Sequence, residues 1–391
     1  MTDRPGARHS RGRDPSRRSA AGILAIVAAS AVALVIGIGL HGTWSPAASS
    51  KSPPRAAPSA TAAATTVQQS SNLPTTLGIT DQNLVGEPPA ELSFDIRTMK
   101  AIGISSVRIA ALWNVIQPSG PATYNWSQLD QAVKAFHAAG MSVDLLIDGC
   151  PAWAATAGVN DAAFNAQPAS AEQFATFSAA VAEHYSADGV SLFEIWNEPN
   201  ISQFWAPKPD PAAYVADLEA AYSAIKQVDP HAFVISGGLS PAGYNNAISP
   251  VVFLTKMYQD GAKGYFDGVG YHPYSYPSLP DDAGPLTGWA KMDKTSPSLR
   301  SVMVAYGDAS KKIWITEYGA PSSGTPFPVG NTGEADELTQ AITYAEQTPW
   351  IAAFYIYDWR DGPDNFGLLN SDGTPKPAYY AVAAVTAKFR H

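Results

Sequence analysis

Two glutamates stand out because each closes a short apolar run and opens onto polar or aromatic neighbours. One run reads Phe193-Glu194-Ile195-Trp196-Asn197-Glu198-Pro199-Asn200, the other Ile313-Trp314-Ile315-Thr316-Glu317-Tyr318-Gly319. Two carboxyls facing one glycosidic bond can divide its cleavage. One, kept protonated, gives its proton to the leaving oxygen while the other, ionised, attacks the anomeric carbon. Both start near a pKa of about 4.3, so their surroundings must hold the two values apart. Either glutamate alone could be a rim residue paired with a lysine or arginine. The pair, with Asn197 and Tyr318 beside it, points to glycoside chemistry.

Such residues need elements that bring them together. Short apolar or β-branched runs occur at Leu77–Thr80, Ser106–Ala110, Ser142–Ile147, Ser191–Ile195, Phe233–Ser236, Gly268–Tyr271, Ile313–Thr316 and Ala353–Tyr357. Amphipathic stretches lie between them, among them Trp126–Ala139, Ala171–Tyr185, Ala212–Val228, Ala335–Glu346 and Ala378–Lys388. Asp210-Pro211 and Thr332 before Glu334 read as helix starts. Eight strand–helix units without a hairpin signal predict an α/β fold, a single (β/α)8 TIM barrel; an open doubly wound sheet is the rival. In a barrel, chemistry gathers at the carboxyl ends of the strands. Strands four and seven lie on roughly opposite sides, so Glu198 and Glu317 converge over the mouth. Trp314, three residues before Glu317, is expected by strand alternation to face outward toward the helices.

At this point the motifs resemble a known group. Trp196-Asn197-Glu198-Pro199 and Ile315-Thr316-Glu317-Tyr318-Gly319 look like the strand-four and strand-seven motifs of the large clan of retaining glycoside hydrolases built on (β/α)8 barrels. Ser106-Val107-Arg108-Ile109 resembles the clan's second strand, whose arginine supports the nucleophile. Tyr271-His272-Pro273-Tyr274 resembles the sixth, whose His and Tyr line the reaction site. Tyr357-Asp358-Trp359 resembles the eighth, whose tryptophan forms the floor of the −1 sugar site. The run from Trp113 to Trp126-Ser127-Gln128-Leu129-Asp130 is similar to family 39 and family 5 members. The resemblance covers residues 73–391 and implies Glu198 as acid/base, Glu317 as nucleophile, and no cofactor or metal.

The supporting residues also have a physical reading. Asn197 can hydrogen-bond a sugar 2-hydroxyl, a contact that strengthens as the oxocarbenium ion forms. Tyr274 could donate to Glu317 and Arg108 could pair with it, both keeping it ionised. His272 could hydrogen-bond the sugar or the acid/base. The plain alternative for each is a satisfied polar group of the barrel core. Sugar rings present apolar C–H faces, so Trp113, Trp205 and Trp359 on strand-end loops, with Trp153, are candidate stacking platforms. Trp126, Trp289 and Trp350 read as packing.

Rival chemistries lack their signatures. No G-x-S-x-G follows a strand, and of seven histidines only His272 sits at a strand end, too few for a metal hydrolase. The one cysteine, Cys150, reads as buried packing. A non-catalytic glycan-binding protein would typically have lost one glutamate. A transglycosidase would use the same residues. Loops after strands three, four, six and seven are long enough to wall a cleft, so endo action on a β-linked polymer is expected, with an exo-β-glycosidase such as a xylosidase as alternative.

Composition agrees. With 46% hydrophobic and 15% charged residues in 391, the chain is too apolar to be disordered. Residues 1–55 carry eight Lys/Arg against Asp3 and Asp14, or +6, which leaves −15 for the rest of a chain whose net charge is −9. So acidic a body is a poor partner for nucleic acid, and a neutral carbohydrate substrate is expected. Residues 1–19 form a basic head, and 20–40, free of charge, would span about 31 Å as a helix, enough for a bilayer. Arginines before it and none directly after it predict a signal anchor with the body extracytoplasmic, or a secreted body if the segment is cleaved. Residues 41–72, rich in Ala, Ser, Thr and Pro, read as a flexible linker. Gly37-Ile38-Gly39-Leu40-His41-Gly42 is a chance G-x-G-x-x-G outside any strand–helix context. The body is expected to be monomeric.

Overall fold

All eight apolar runs become parallel strands: β1 (Thr76–Thr80), β2 (Ser106–Leu112), β3 (Ser142–Asp148), β4 (Leu192–Ile195), β5 (Phe233–Leu239), β6 (Gly268–Tyr271), β7 (Ile313–Tyr318) and β8 (Ile351–Tyr357). The computed structural model describes residues 75–389 except 160–164, 243–245, 283, 285, 286 and 325. The strands follow chain order and close on themselves, with Leu77 of β1 opposite Phe354 of β8. This is a (β/α)8 barrel, not an open sheet. The helices are α1 (Pro89–Ala101), α2 (Trp113–Ile116), α3 (Ser127–Ala138), α4 (Ala171–Ser186), α5 (Pro211–Val228), α6 (Pro250–Gln259), α7 (Ala290–Asp293), α8 (Leu299–Ala305), α9 (Gly330–Gln347) and α10 (Pro377–Thr386).

Local chemistry sets several helix starts. Asp210 accepts from the N–H groups of Ala212 and Ala213, and Pro211 takes the first position of α5, where no N–H is needed. Ser170 caps α4 through Gln173 N–H. Thr332 does not start α9. That helix begins at Gly330 with no side-chain cap, so Thr332 already lies in its first turn.

Strand alternation divides the side chains between two environments. Val107 and Ile109 of β2 and Val143, Leu145 and Ile147 of β3 join the apolar layer under the helices. Each such side chain contributes about 1.5–3 kcal/mol by leaving water. The opposite faces of these strands supply Ser106, Arg108 and Asp144, which are buried inside the barrel. Tyr355 fills the lower part of the same space, its hydroxyl 3.0 Å from Ser106 Oγ. Only glycine permits this at position 78, where a Cβ would stand 2.3 Å from the Tyr355 ring.

Trp314 corrects the alternation argument. It is in register with Ala353 and Gly270, while its neighbours Ile313 and Ile315 join the helix-facing core with Phe354. The indole therefore points into the barrel, against Phe233 and over Gly268. The register of β7 shifts between Ile315 and Tyr318, so parity counted back from Glu317 is broken.

Among the described residues no helix is long and apolar enough to cross a membrane. The expected head, span and linker over 1–72 lie outside the described residues.

Candidate active site

The end of β4 is held in an unusual backbone. Trp196 and Glu198 have φ of 71° and 44°, a region that L-residues other than Asn and Asp rarely enter. Neighbouring strands impose it. Trp196 N–H donates to Ile147 O at 3.0 Å, its indole Nε1–H to Phe204 O at 2.7 Å, and Glu198 N–H to Gly238 O at 3.0 Å. Asn200 clamps the following loop, donating to Ser240 O and Ile248 O and accepting from Ser240 N–H. The twist turns Asn197 and Glu198 over the barrel mouth.

Arg108 organises the centre from β2. Its Nε donates to Glu194 Oε2 at 2.5 Å, Nη1 to Glu317 Oε1 at 2.8 Å and Nη2 to Asn197 Oδ1 at 2.8 Å. One buried guanidinium thus fixes two carboxylates and one amide. Removing either partner of such a buried pair costs about 3–5 kcal/mol, because the other charge is left uncompensated. Tyr274, at the end of β6, donates its hydroxyl to Glu317 Oε2 at 3.0 Å. His272 Nδ1 lies 2.9 Å from Glu198 Oε1 and 3.6 Å from Glu317 Oε2. Those two distances cap the separation of the two carboxyl oxygens at 6.5 Å.

Burial acts on both glutamates, yet unequally. Glu198 is pushed well above the ordinary carboxyl range by desolvation and by the neighbouring Glu317 charge. Desolvation raises Glu317 as well, but the Arg108 guanidinium and the Tyr274 hydroxyl pull it back. Glu198 therefore retains a proton to higher pH than Glu317, the inequality that a proton donor and a nucleophile require. Desolvation, reinforced by Arg108, holds His272 well below its usual value, so the ring is neutral. Asp148, at the end of β3, is pushed to about 7 by burial.

A cavity opens beside this centre, walled by Arg108, Asn197, Glu317, Asp148, Phe204 and Tyr357 among others. Of the residues singled out in the sequence, Arg108, Asn197 and Glu317 line this cavity. Tyr274 and His272 stand behind Glu317, and His272 links it to Glu198; none of these three reaches the cavity wall. Trp113, Trp205 and Trp359 do not line it either. Each is fully buried in the core between barrel and helices. Trp113 packs on Trp153 and Phe177, Trp205 on Trp196 and Tyr214, Trp359 on Tyr379. None presents a ring face to a sugar. The aromatic that β8 brings to the cavity is Tyr357, two residues before Trp359, and from the β4 loop it is Phe204, beside Trp205.

Sequence reasoning also passed over Asp148, Glu194 and Thr316. A signal for each was present: Glu194 and Asp148 are acids at inward positions of apolar strands, and Thr316 adjoins Glu317. Cys150 is buried with its thiol pushed up by desolvation, a packed residue without nucleophilic character. Among the described residues no three His, Cys, Asp or Glu side chains are grouped to hold a metal ion.

Barrel, strand-end glutamates and supporting arginine define the class: a glycoside hydrolase of the (β/α)8 clan. Residues 69–360 match the family described as cellulase (glycosyl hydrolase family 5), and the chain belongs to that family. The barrel is similar to a family 39 glycoside hydrolase from Bacteroides cellulosilyticus WH2, 24% identical with a TM-score of 0.63, over 81% of this chain and 64% of that one. A monomeric β-xylosidase from Caulobacter crescentus CB15 is 20% identical with a TM-score of 0.61, over 80% and 68% of the two chains. A GH5_18 structure from Streptomyces cattleya in complex with GlcNAc is 18% identical at the same TM-score, over 81% and 80%. At these identities the likeness is one of fold. A β-amylase of Trifolium repens is 28% identical over 99 residues, 22% of this chain. The chain spans a fifth or less of the curated relatives it matches.

Proposed function

We propose that the protein hydrolyses β-glycosidic bonds of a neutral polysaccharide with retention of anomeric configuration, Glu317 serving as nucleophile and Glu198 as acid/base. The observation that supports this reading is the closeness of the two carboxyls. Glu198 Oε1 hydrogen-bonds His272 Nδ1 at 2.9 Å and Glu317 Oε2 lies 3.6 Å from the same nitrogen. These two oxygens are therefore at most 6.5 Å apart, the lower edge of the inverting range. Retaining enzymes hold their carboxyls about 5–5.5 Å apart, whereas inverting enzymes leave about 6.5–9.5 Å for a water.

In the first step Glu317 Oε attacks the anomeric carbon while Glu198 protonates the departing oxygen, leaving a covalent glycosyl ester. In the second, Glu198, now a carboxylate, takes a proton from water as that water displaces Glu317. Arg108 and Tyr274 keep Glu317 ionised and aimed. Asn197, its Oδ1 occupied by Arg108, keeps its Nδ2 donors for a sugar 2-hydroxyl. Tyr357 offers the ring for the apolar sugar face. Acidic groups around the cavity and a body of charge −15 disfavour uronic acids.

Endo action on an extended polymer is supported by the long connections after β3, β4, β6 and β7, which border the catalytic face. A charge-free segment at 20–40 behind six arginines supports an extracytoplasmic body tethered to the cell membrane. Product analysis on a β-glycan panel, with and without an added sugar acceptor, separates endo hydrolysis from exo cleavage and transglycosylation.

Azide assigns the two roles. Glu317→Ala should lose activity on every substrate. Glu198→Ala should lose about 10²- to 10⁴-fold on poor leaving groups and less on dinitrophenyl glycosides. Added azide should rescue Glu198→Ala to a β-glycosyl azide and Glu317→Ala to the α-azide. Opposite stereochemistry reverses the assignment, and full activity in both variants removes it.

A further inference from the structure

Behind the catalytic pair lies a third carboxyl, Glu194, wholly buried and touching no part of the cavity. Its Oε2 is taken by Arg108 Nε at 2.5 Å, and its Oε1 accepts Gly238 N–H at 2.6 Å and the Thr316 hydroxyl at 3.2 Å. Thr316 Oγ1 in turn lies 3.1 Å from His272 Nε2, and His272 Nδ1 lies 2.9 Å from Glu198 Oε1. We propose that Glu194, acting through Thr316 and His272, keeps the transferable proton on Glu198. The inference rests on the reading of Glu198 as the acid/base.

The direction of the chain is set at its buried end. A carboxylate paired with a guanidinium has no proton to give, so the single hydroxyl proton of Thr316 must point to Glu194. The Thr316 oxygen can then only accept from His272, which places the ring proton on Nε2. A neutral imidazole protonated at Nε2 carries a lone pair on Nδ1. That lone pair faces Glu198 Oε1 at hydrogen-bond distance, so the shared proton must come from Glu198. An ionised Glu198 would set two lone pairs against each other. The same arrangement strengthens Glu198 as a base in the second step. Glu194 and Thr316 are positioning residues, since neither touches the cavity.

The backbone is shaped around this chain. A Cβ on residue 238 would stand 2.2 Å from His272 Nε2 and 2.6 Å from Thr316 Oγ1. Other ionisable groups face the relay: Arg108 on β2, Asp144 and Asp148 on β3, Tyr214 on α5, Tyr274 and Tyr276 after β6, Glu317 on β7 and Tyr355 on β8. Asp144 is held well above the carboxylate range by burial, and the four tyrosines are held above theirs. Asp148, pushed to about 7 by burial, is the neighbour able to titrate near neutrality, so Asp148→Asn is the necessary control.

Nitrogen-15 NMR of histidine-labelled full-length protein reads the ring directly, with the His272 signals assigned by loss in His272→Gln. The wild type should show the neutral Nε2–H form at pH 7. A ring protonated at Nδ1, or at both nitrogens, overturns the proposal. In kinetics on 4-nitrophenyl β-glycosides, Thr316→Val should move the alkaline limb of kcat/KM down by about one pH unit or more. Thr316→Ser, which retains the hydroxyl, should restore it, and Asp148→Asn should not reproduce the shift. An unmoved limb in folded Thr316→Val overturns the relay. If Glu198→Ala keeps full activity instead, the acid/base assignment fails while the NMR result still reports the relay. Should Thr316→Val not fold, the wild-type tautomer decides.

Discussion

Gly238 and His272 approach so closely that no side chain fits between them. The Gly238 α-carbon lies against the imidazole, its N–H holds Glu194, and its carbonyl accepts from Glu198 N–H. One residue of β5 therefore touches Glu194, His272 and Glu198 at once. Gly238→Ala should displace His272 and lower kcat/KM on 4-nitrophenyl glycosides by about 10²-fold or more, the usual worth of positioned proton transfer. Circular dichroism should show the barrel intact. Unchanged kinetics would mean the ring does not depend on this contact.

Tyr274→Phe removes a hydroxyl donated to Glu317 Oε2 and nothing else. That donor stabilises the ionised carboxylate, so without it Glu317 binds its proton more tightly. The acid limb of kcat/KM should move to higher pH, and kcat should fall about tenfold. A pH–rate profile of both proteins checks the sign, since a shift to lower pH contradicts the hydrogen bond.

Aromatic roles separate by readout. Tyr357→Ala should raise KM, because the ring borders the cavity, and should also lower the unfolding temperature, because the ring is buried against Tyr274 and Phe366. Trp359→Ala should destabilise the fold by about 3–5 kcal/mol, the cost of emptying a core site of that size. Thermal unfolding and KM measured on both variants test this, and the reverse pattern in KM would restore Trp359 as the sugar platform.

Asp217, on α5, is buried with no compensating cation among the described residues, and desolvation pushes it to about 8. Below pH 3.8, its ordinary value, it is neutral in both folded and unfolded chains. As pH rises from there toward 8, the unfolded chain releases the proton and the folded one keeps it. Stability then falls by about 1.4 kcal/mol per pH unit from this group. Asp217→Asn should therefore match the wild type near pH 4 and unfold at higher temperature at pH 7–8. Parallel stability curves across that window would show that the carboxyl is solvated.

If residues 20–40 anchor the protein, the full-length chain should sediment with membranes and resist extraction by salt but not by detergent. Recovery in the medium of a species lacking residues 20–40 would identify the segment as a cleaved signal.

The eight strands and both glutamates were legible in the sequence because each obeys a local rule. An apolar run buried on both faces reads as a parallel strand, and a polar residue closing it must sit at the barrel mouth. Asn197, Glu198, His272 and Glu317 belong to that class, whereas Arg108 lies within β2 and Tyr274 three residues beyond β6, and the barrel brings all six to one centre. The tryptophans do not belong to it, because a loop residue has no fixed period. Whether Trp205 or Phe204, and Trp359 or Tyr357, meets the cavity depends on how the loop turns, which the packing of helices behind it decides. Trp314 failed for a related reason: a register shift in β7, set by pairing with β8, reversed its parity. The relay from Glu194 to Glu198 lay furthest from view. It joins side chains of β4, the end of β6 and β7 across the barrel interior, through space left by a glycine of β5. Only closure of the barrel brings those four together.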